Sequence, residues 1–316
     1  MIVTLTPNPS LDRTISLEQL RRGGVHRALA LRDDPGGKGV NVSRALAANG
    51  ASTVTVVPAG GDIAATFSAL LDEAGVAHHL VPLAGAVRTN ITLVEDDGTT
   101  TKVNEQGRYS TAADAALMLD AADARLDRAC WAVGCGSLPP GLDGEVYAEL
   151  VARARRRGVS VAIDTSGAAL TRAIAAGPDL VKPNLHELAD HAGRPLTRLA
   201  EVVDAAREIV DAGVATVLVS LGAQGAIAVT RDGAIHASAH VTAPLSTVGA
   251  GDCLLAGWLD AVTQGAPASA ALEQAVRWGS AAVALPGSSV PGPREVAAVS
   301  VESTSVLDPQ LAMTGD

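Results

Sequence analysis

The amino-acid sequence predicts an α/β fold, a mostly parallel sheet covered by helices. Three observations carry that prediction. Short apolar runs alternate with longer amphipathic stretches along the 316 residues. The runs are β-branched or apolar throughout, as strands buried on both faces of a parallel sheet are. The core must also be built from Ala, Val, Leu and Ile, because 47% of the residues are hydrophobic while only 2% are aromatic.

In chain order, strands are expected at Ile2–Thr6, Ser52–Val57, Cys130–Gly134, Val159–Asp164, Leu180–Pro183 and Thr216–Ser220. Helical patterns lie between them at Gly39–Asn49, Ile63–Ala74, Ala112–Arg128, Glu145–Arg157, Leu199–Ala212 and Gly251–Gln264. Alternation of this length implies right-handed crossovers. Two segments break it. Ser16–Arg32 holds a strand-like stretch, Arg27–Arg32, after a Gly-Gly turn, and Asn90–Asn104 reads as two strands around Asp96-Asp97-Gly98. Asp-Gly between alternating residues is a hairpin signal. These pieces form either a small separate sheet, placed as a lid over a site, or an extension of the main sheet. The residues from about Val301 on are polar and read as a last strand followed by a frayed tail.

The formal net charge is −10. An acidic surface repels nucleic-acid phosphates and anionic lipid, so neither nucleic acid nor membrane is expected as a partner. No apolar run reaches the roughly 20 residues of a membrane span. The N-terminus lacks the basic region of a signal peptide. Cys130, Cys135 and Cys253 form no CxxC pair, which suits buried thiols in a reducing compartment. The expected location is the cytoplasm.

The segment with the most chemistry runs from Ser246 to Gly257. Gly249 and Gly251 let backbone amides converge at the start of a helix, where the dipole also favours an anion. Asp252 follows in the first turn. A cradle for phosphoryl charge beside a carboxylate that can take a hydroxyl proton is what phosphoryl transfer needs. An N-capping aspartate on a core helix would give the same local pattern, so the other segments matter. Asp34-Pro35-Gly36-Gly37-Lys38-Gly39-Val40-Asn41 is a second glycine turn opening a helix. It is not a Walker A loop, because Lys38 is followed by Gly39 rather than Ser or Thr. Gly134-Cys135-Gly136 faintly suggests a dinucleotide fingerprint, but Pro139 stands where the third glycine belongs. In Lys182-Pro183-Asn184-Leu185-His186-Glu187 the amide and the carboxylate lie three apart, on one side of a helical turn. That pair suits water-mediated Mg²⁺, and it equally suits a helix cap. Ser220-Leu221-Gly222-Ala223-Gln224-Gly225 ends a strand with a glycine turn, and ligands in open α/β sheets lie at such strand ends.

Jointly, TLTPNPSLDRT, PGGKGVNVSRALAANG, RTNITL, GSLPPG, DTSG, KPNLHEL, VSLGAQGA and STVGAGD resemble the PfkB, or ribokinase-type, carbohydrate kinase family in its hexose-phosphate branch. The match covers roughly residues 1–290 in the family's order. The resemblance implies a ribokinase-like three-layer sandwich with a mostly parallel central sheet and a small β-sheet lid. One domain would span 1–316, with lid segments at about 13–33 and 88–106. It further implies Asp252 as proton acceptor, with Gly249, Ala250 and Gly251 as anion hole. Asp12, Gly37 and Asn41 would hold sugar hydroxyls, and Ser137 and Asn90 would line the sugar site. Arg88 and Lys38 would meet the phosphate already on the sugar, and Arg27, on the lid, would reach the substrate. Lys182, Asn184 and Ser220, Leu221, Gly222, Ala223, Gln224 and Gly225, with Gly251, would contact ATP. Glu187 would order Mg²⁺ through water, and the lid strands would pair two subunits into a homodimer.

The implied reaction is ATP-dependent phosphorylation of fructose 1-phosphate at its 6-hydroxyl. Tagatose 6-phosphate and fructose 6-phosphate remain alternatives, since the same cations serve a phosphate at either end of a ketose. A non-catalytic sugar-phosphate sensor is a rival from another class, opposed by Asp252, Glu187 and the glycine loop. A nicotinamide-dependent oxidoreductase is another, opposed by the missing third glycine.

Overall fold

The computed structural model describes residues 1–83 and 87–314. Residues 315–316, the end of the tail expected to fray, lie outside the described residues. The apolar runs do pair as a sheet. Ten strands lie in the spatial order Glu302–Thr304, Gly233–Ser238, Ala226–Thr230, Thr216–Ser220, Leu180–Val181, Ser160–Asp164, Trp131–Cys135, Ile2–Leu5, Thr53–Pro58 and His78–Val81. From Thr216–Ser220 to His78–Val81 every pairing is parallel, and the three strands at the other edge are antiparallel. The sheet is thus mixed at one edge, because Ala226–Thr230 and Gly233–Ser238 join through a tight turn rather than a helical crossover. Leu180–Val181 is shorter than the sequence suggests. Pro183 has no N–H to give a ladder and ends the strand.

Helices cover both faces. Ala112–Asp123, Glu145–Arg156, Gly167–Ala175, Leu185–Ala192 and Leu199–Asp211 pack on one side through Met118, Tyr147, Leu150, Leu170, Leu188 and Val202. Lys38–Ala48, Ala250–Thr263 and Ala268–Val283 pack on the other through Val42, Leu46, Leu255, Leu259 and Leu272. In Glu145–Arg156 the buried positions are Val146, Tyr147, Leu150, Val151 and Ala154, one stripe of the helical period. Each large apolar side chain in such a stripe contributes about 1.5–3 kcal/mol on burial. Gly167–Ala175, Leu185–Ala192 and Ala268–Val283 were not among the expected helices; the last is rich in alanine and small residues, which blur its apolar period. Among the described residues no helix is long and apolar enough to cross a membrane.

A separate four-stranded sheet has the order Ala30–Gly36, Ser10–Leu17, Arg88–Glu95 and Thr100–Asn104. It decides between the two readings of the irregular segments: they do not extend the main sheet. The Asp-Gly hairpin is present, with Gly98 at φ +87° donating to Glu95 O. Ser10–Leu17 was hidden by its polar residues, and the third strand starts at Ala30 rather than Arg27.

Candidate active site

The carboxyl ends of the central strands, the starts of two helices and the inner edge of the small sheet converge on Asp252. It stands in the first turn of Ala250–Thr263, after Gly249 at φ +76°, a left-handed conformation that glycine adopts without strain. Ala250 N–H turns back to Thr247 O at 3.3 Å, so it is not a free anion donor. The Gly249, Gly251 and Asp252 amides make no backbone bond among the described residues, so of the expected cradle only Ala250 is withdrawn. Asp252 is 7% exposed. Burial, and next the charge of Asp164, push its carboxyl up to about 6. Lys38, a hydrogen bond from Asn41 Nδ2 at 2.9 Å, and Lys182 pull the other way without cancelling that. A carboxylate of this strength is deprotonated at neutral pH yet basic enough to take a hydroxyl proton.

Asp164, which sequence reasoning left without a role, organises the cluster. It closes the strand Ser160–Asp164 and is fully buried. Lys38 Nζ lies 2.7 Å from Oδ1 and Lys182 Nζ lies 3.1 Å from Oδ2. Burial alone would raise this carboxyl; the charges of Lys182 and Lys38 outweigh it and hold it below the usual carboxylate value. The available signal was a charged residue ending an apolar run in DTSG. Lys38 therefore differs from expectation. Instead of a second cation beside Arg88, its ammonium is engaged with Asp164 and, at 3.7 Å, with Glu187 Oε1. Burial would lower its pKa, but Asp164, Glu187 and Asp252 raise it above the ordinary lysine value. A buried carboxylate without a counter-charge would be severely destabilising, and this need draws Lys38 to Asp164 rather than to the sugar phosphate beside Arg88. Lys182 reaches the helix start: a Cβ at Gly251 would sit 3.4 Å from its Nζ.

Asn184 and Glu187 form a reciprocal cap. Asn184 Oδ1 accepts from Glu187 N at 2.8 Å, and Glu187 Oε2 accepts from Asn184 N at 2.9 Å. The Asn184 amide oxygen is thus occupied, whereas Glu187 Oε1 still faces Lys38. The Ser220–Gly225 turn narrows as well. Leu221 is 2% exposed and its N–H is taken by Gly225 O, so its side chain belongs to the core. Gly222–Gln224 forms one 3₁₀ turn beside a cavity of ≈ 990 Å³ that Ala223, Gln224, His236, Ser238, Ala284 and Leu311 help to line. The tail does not simply fray. Glu302–Thr304 pairs with Gly233–Ser238, and Gln224 bonds to both Ala312 O and Thr314 N at 2.9 Å.

At the small sheet, Asp12 pairs in register with Asn90. Asp12 Oδ1 accepts from Ser10 Oγ at 2.7 Å and Asn90 Nδ2 at 2.9 Å. Burial raises its carboxyl against those two bonds. A Cβ at Gly36 would collide with the Asp12 carboxylate, which is why glycine stands there. Gly37 follows at φ +109° as the cap of Lys38–Ala48. Arg88 donates from Nη1 to Glu105 O at 2.7 Å, while its buried Nε has no partner among the described residues. Ser137 is exposed and accepts from Asn8 Nδ2 at 3.4 Å. Arg108, also missed at the sequence level, keeps a buried Nη1 without a partner among the described residues; it helps line a small cavity with Asn8, Val87 and Pro139. Arg27 is not brought in. It sits on the exposed connection between two small-sheet strands and has no ion pair among the described residues, because the strand begins three residues later.

The profile of the pfkB family carbohydrate kinases matches residues 6–294. A 1-phosphofructokinase of Rhodobacter capsulatus is 39% identical over 304 residues, 94% of this chain and 95% of that protein. The ATP-dependent 6-phosphofructokinase isozyme 2 of Escherichia coli K12 is 36% identical, covering 89% and 90%. Among solved structures, phosphofructokinase-2 of Escherichia coli in complex with substrates and products superposes with a TM-score of 0.88 at 32% identity, covering 94% and 97%. An Arabidopsis thaliana ribokinase superposes with a TM-score of 0.75 at 21% identity, covering 94% and 97%, a likeness of fold. The ribokinase-like architecture expected from sequence is the one observed.

Proposed function

The chain belongs to the pfkB family of carbohydrate kinases, and on that premise we propose that it transfers the γ-phosphoryl group of ATP to the 6-hydroxyl of fructose 1-phosphate, giving fructose 1,6-bisphosphate and ADP. The observation that carries this is the buried Asp252 carboxyl, at about 6, beside free helix-start amides and between two lysines anchored on Asp164. The 39% identity to a 1-phosphofructokinase supports the choice of sugar.

Asp252 accepts the hydroxyl proton as the sugar oxygen attacks Pγ and the bond to the β-phosphate oxygen breaks. Lys38, Lys182 and the Gly251 amide face the charge on the transferring group. Asp12, with Asn90 and Asn41, orients the sugar, Ser137 lines its pocket, and Arg88 meets its 1-phosphate. The cavity beside Gly222–Gln224 takes the nucleoside of ATP. Among the described residues no three His, Cys, Asp or Glu side chains gather to hold a metal ion. Mg²⁺ would be carried mainly by phosphates and water, with Glu187 Oε1, which lies 3.7 Å from Lys38 Nζ, as a water-mediated contact. Bound there, Mg²⁺ would neutralise phosphate charge. The chain acts as one kinase domain with the small sheet as its lid. Leu29, Leu31 and Val103, each more than half exposed on that lid, support a homodimer through this face. A cytoplasmic location follows from its substrates.

The test is ADP release with Mg²⁺-ATP and fructose 1-phosphate, fructose 6-phosphate, tagatose 6-phosphate or free fructose, compared by kcat/KM. A tenfold or greater preference for fructose 1-phosphate is expected, roughly 1.4 kcal/mol of discrimination. Preference for a 6-phosphate would overturn the sugar while keeping the chemistry. No turnover with any would overturn the kinase reading.

A further inference from the structure

Arg44 lies on the inner face of the helix Lys38–Ala48, one turn beyond Asn41, and is 6% exposed. A guanidinium buried this deeply persists only where acceptors surround it. Its Nη1 donates to Asn41 Oδ1 at 3.2 Å, Ser288 O at 3.1 Å and Pro35 O at 3.3 Å. Its Nη2 faces Asp34 Oδ1 at 3.4 Å. One cation thereby ties the glycine turn, the Asn41 helix and the Ser288 loop together.

The Asn41 amide has one acceptor end and one donor end. Arg44 occupies the acceptor end, so the amino end faces Asp252 Oδ2 at 2.9 Å. Reversing the amide would set oxygen against a carboxylate and NH₂ against a guanidinium, which is unfavourable at both ends. We propose that Arg44 is a positioning residue for phosphoryl transfer: it fixes the Asn41 amide so that Asn41 holds one oxygen of Asp252 and leaves the other to receive the substrate proton. This rests on the kinase reading above.

The groups facing Asp252 are Asp164, Lys38, Lys182 and Asn41, with the Cys253 thiol next in the chain and Arg44 behind it. The helix Ala268–Val283 meets the start of the Asp252 helix through Gly279, which bears no charge. Without Arg44, Asn41 holds Asp252 less well and the carboxyl rises further, since the Asn41 bond is one of the influences that lower it.

The experiment is a pH series of kcat for wild type, R44M, R44K, N41A and R44M/N41A, with thermal melts to show that each is folded. R44M should lose about tenfold in kcat and move the acid limb up by about half to one pH unit, with KM for ATP changed less than about twofold. R44K should lose less. R44M/N41A should be no slower than N41A, because Arg44 acts through Asn41. A folded R44M with wild-type kcat and acid limb would overturn the proposal, and so would losses that multiply in the double variant. If R44M does not fold, the same cycle with R44K decides, because its cation still opposes Asp34. Absence of wild-type turnover with every sugar phosphate would instead sink the kinase reading itself.

Discussion

On the proposed mechanism, replacing Asp252 with asparagine removes the base and almost nothing else. The side chains are isosteric, and the asparagine Oδ1 can still accept the 2.9 Å bond from Asn41 Nδ2. Lys38 and Lys182 keep Asp164 between them, so both cations stay in place. Asp252 does not line the cavity proposed for the nucleotide. Loss of a general base costs about 10²–10⁴ in rate. At 1.36 kcal/mol per decade, this is about 2.7–5.4 kcal/mol in the barrier. The expected D252N enzyme has kcat lowered by that factor, while the Kd for ATP, measured by calorimetry, stays within about threefold, under 1 kcal/mol. Its residual rate should also lose the acid limb, since no carboxyl remains to titrate. A coupled ADP assay across pH 5 to 8 measures both. Turnover within about tenfold of wild type, or an unchanged acid limb, would refute Asp252 as the base.

In the wild type, kcat/KM should fall as pH drops through about 6, because the Asp252 carboxyl titrates there in the free enzyme and only its ionised form accepts a proton. D164N should move that limb to lower pH: the repulsion that raises Asp252 goes, while Lys38 and Lys182 remain, and a limb that stayed put or rose would contradict this electrostatic account. R88M should raise KM for the sugar phosphate about 10- to 100-fold, the loss of a charge-assisted hydrogen bond, with KM for ATP unchanged in the same steady-state assay. Ending the chain after Thr304 removes Leu311 from the cavity wall and frees both ends of the Gln224 amide. KM for ATP should then rise about three- to tenfold with kcat nearly constant, by loss of roughly 0.7–1.4 kcal/mol of binding.

The strands and the larger helices were legible because burial on both faces writes apolar runs into the chain. The boundaries moved by one residue at Ile2–Leu5 and Ser160–Asp164 and not at all at Thr216–Ser220. Ser10–Leu17 was not legible, since a half-exposed strand of a small sheet carries Ser, Asp, Arg and Thr, and Ala268–Val283 was lost in a run of small residues.

The local parts of the site were written in the sequence. Gly249, Gly251 and Asp252 lie within four residues, and a glycine turn at a helix start leaves amides able to meet an anion. Asp12, Asn41, Arg88 and Lys182 were likewise named from their motifs. The partners of these residues were decided only in three dimensions. Lys38 and Asp164 are 126 positions apart, and Asn41 and Asp252 are 211 apart. Whether a lysine serves a ligand or a buried carboxylate depends on what the fold sets opposite it. Motif spacing along the chain is silent on that, and the same holds for Arg44, for the mutual cap of Asn184 and Glu187, and for the exposed Arg27. Sequence fixes which groups are available; desolvation and charge pairing in the folded core settle which of them act together.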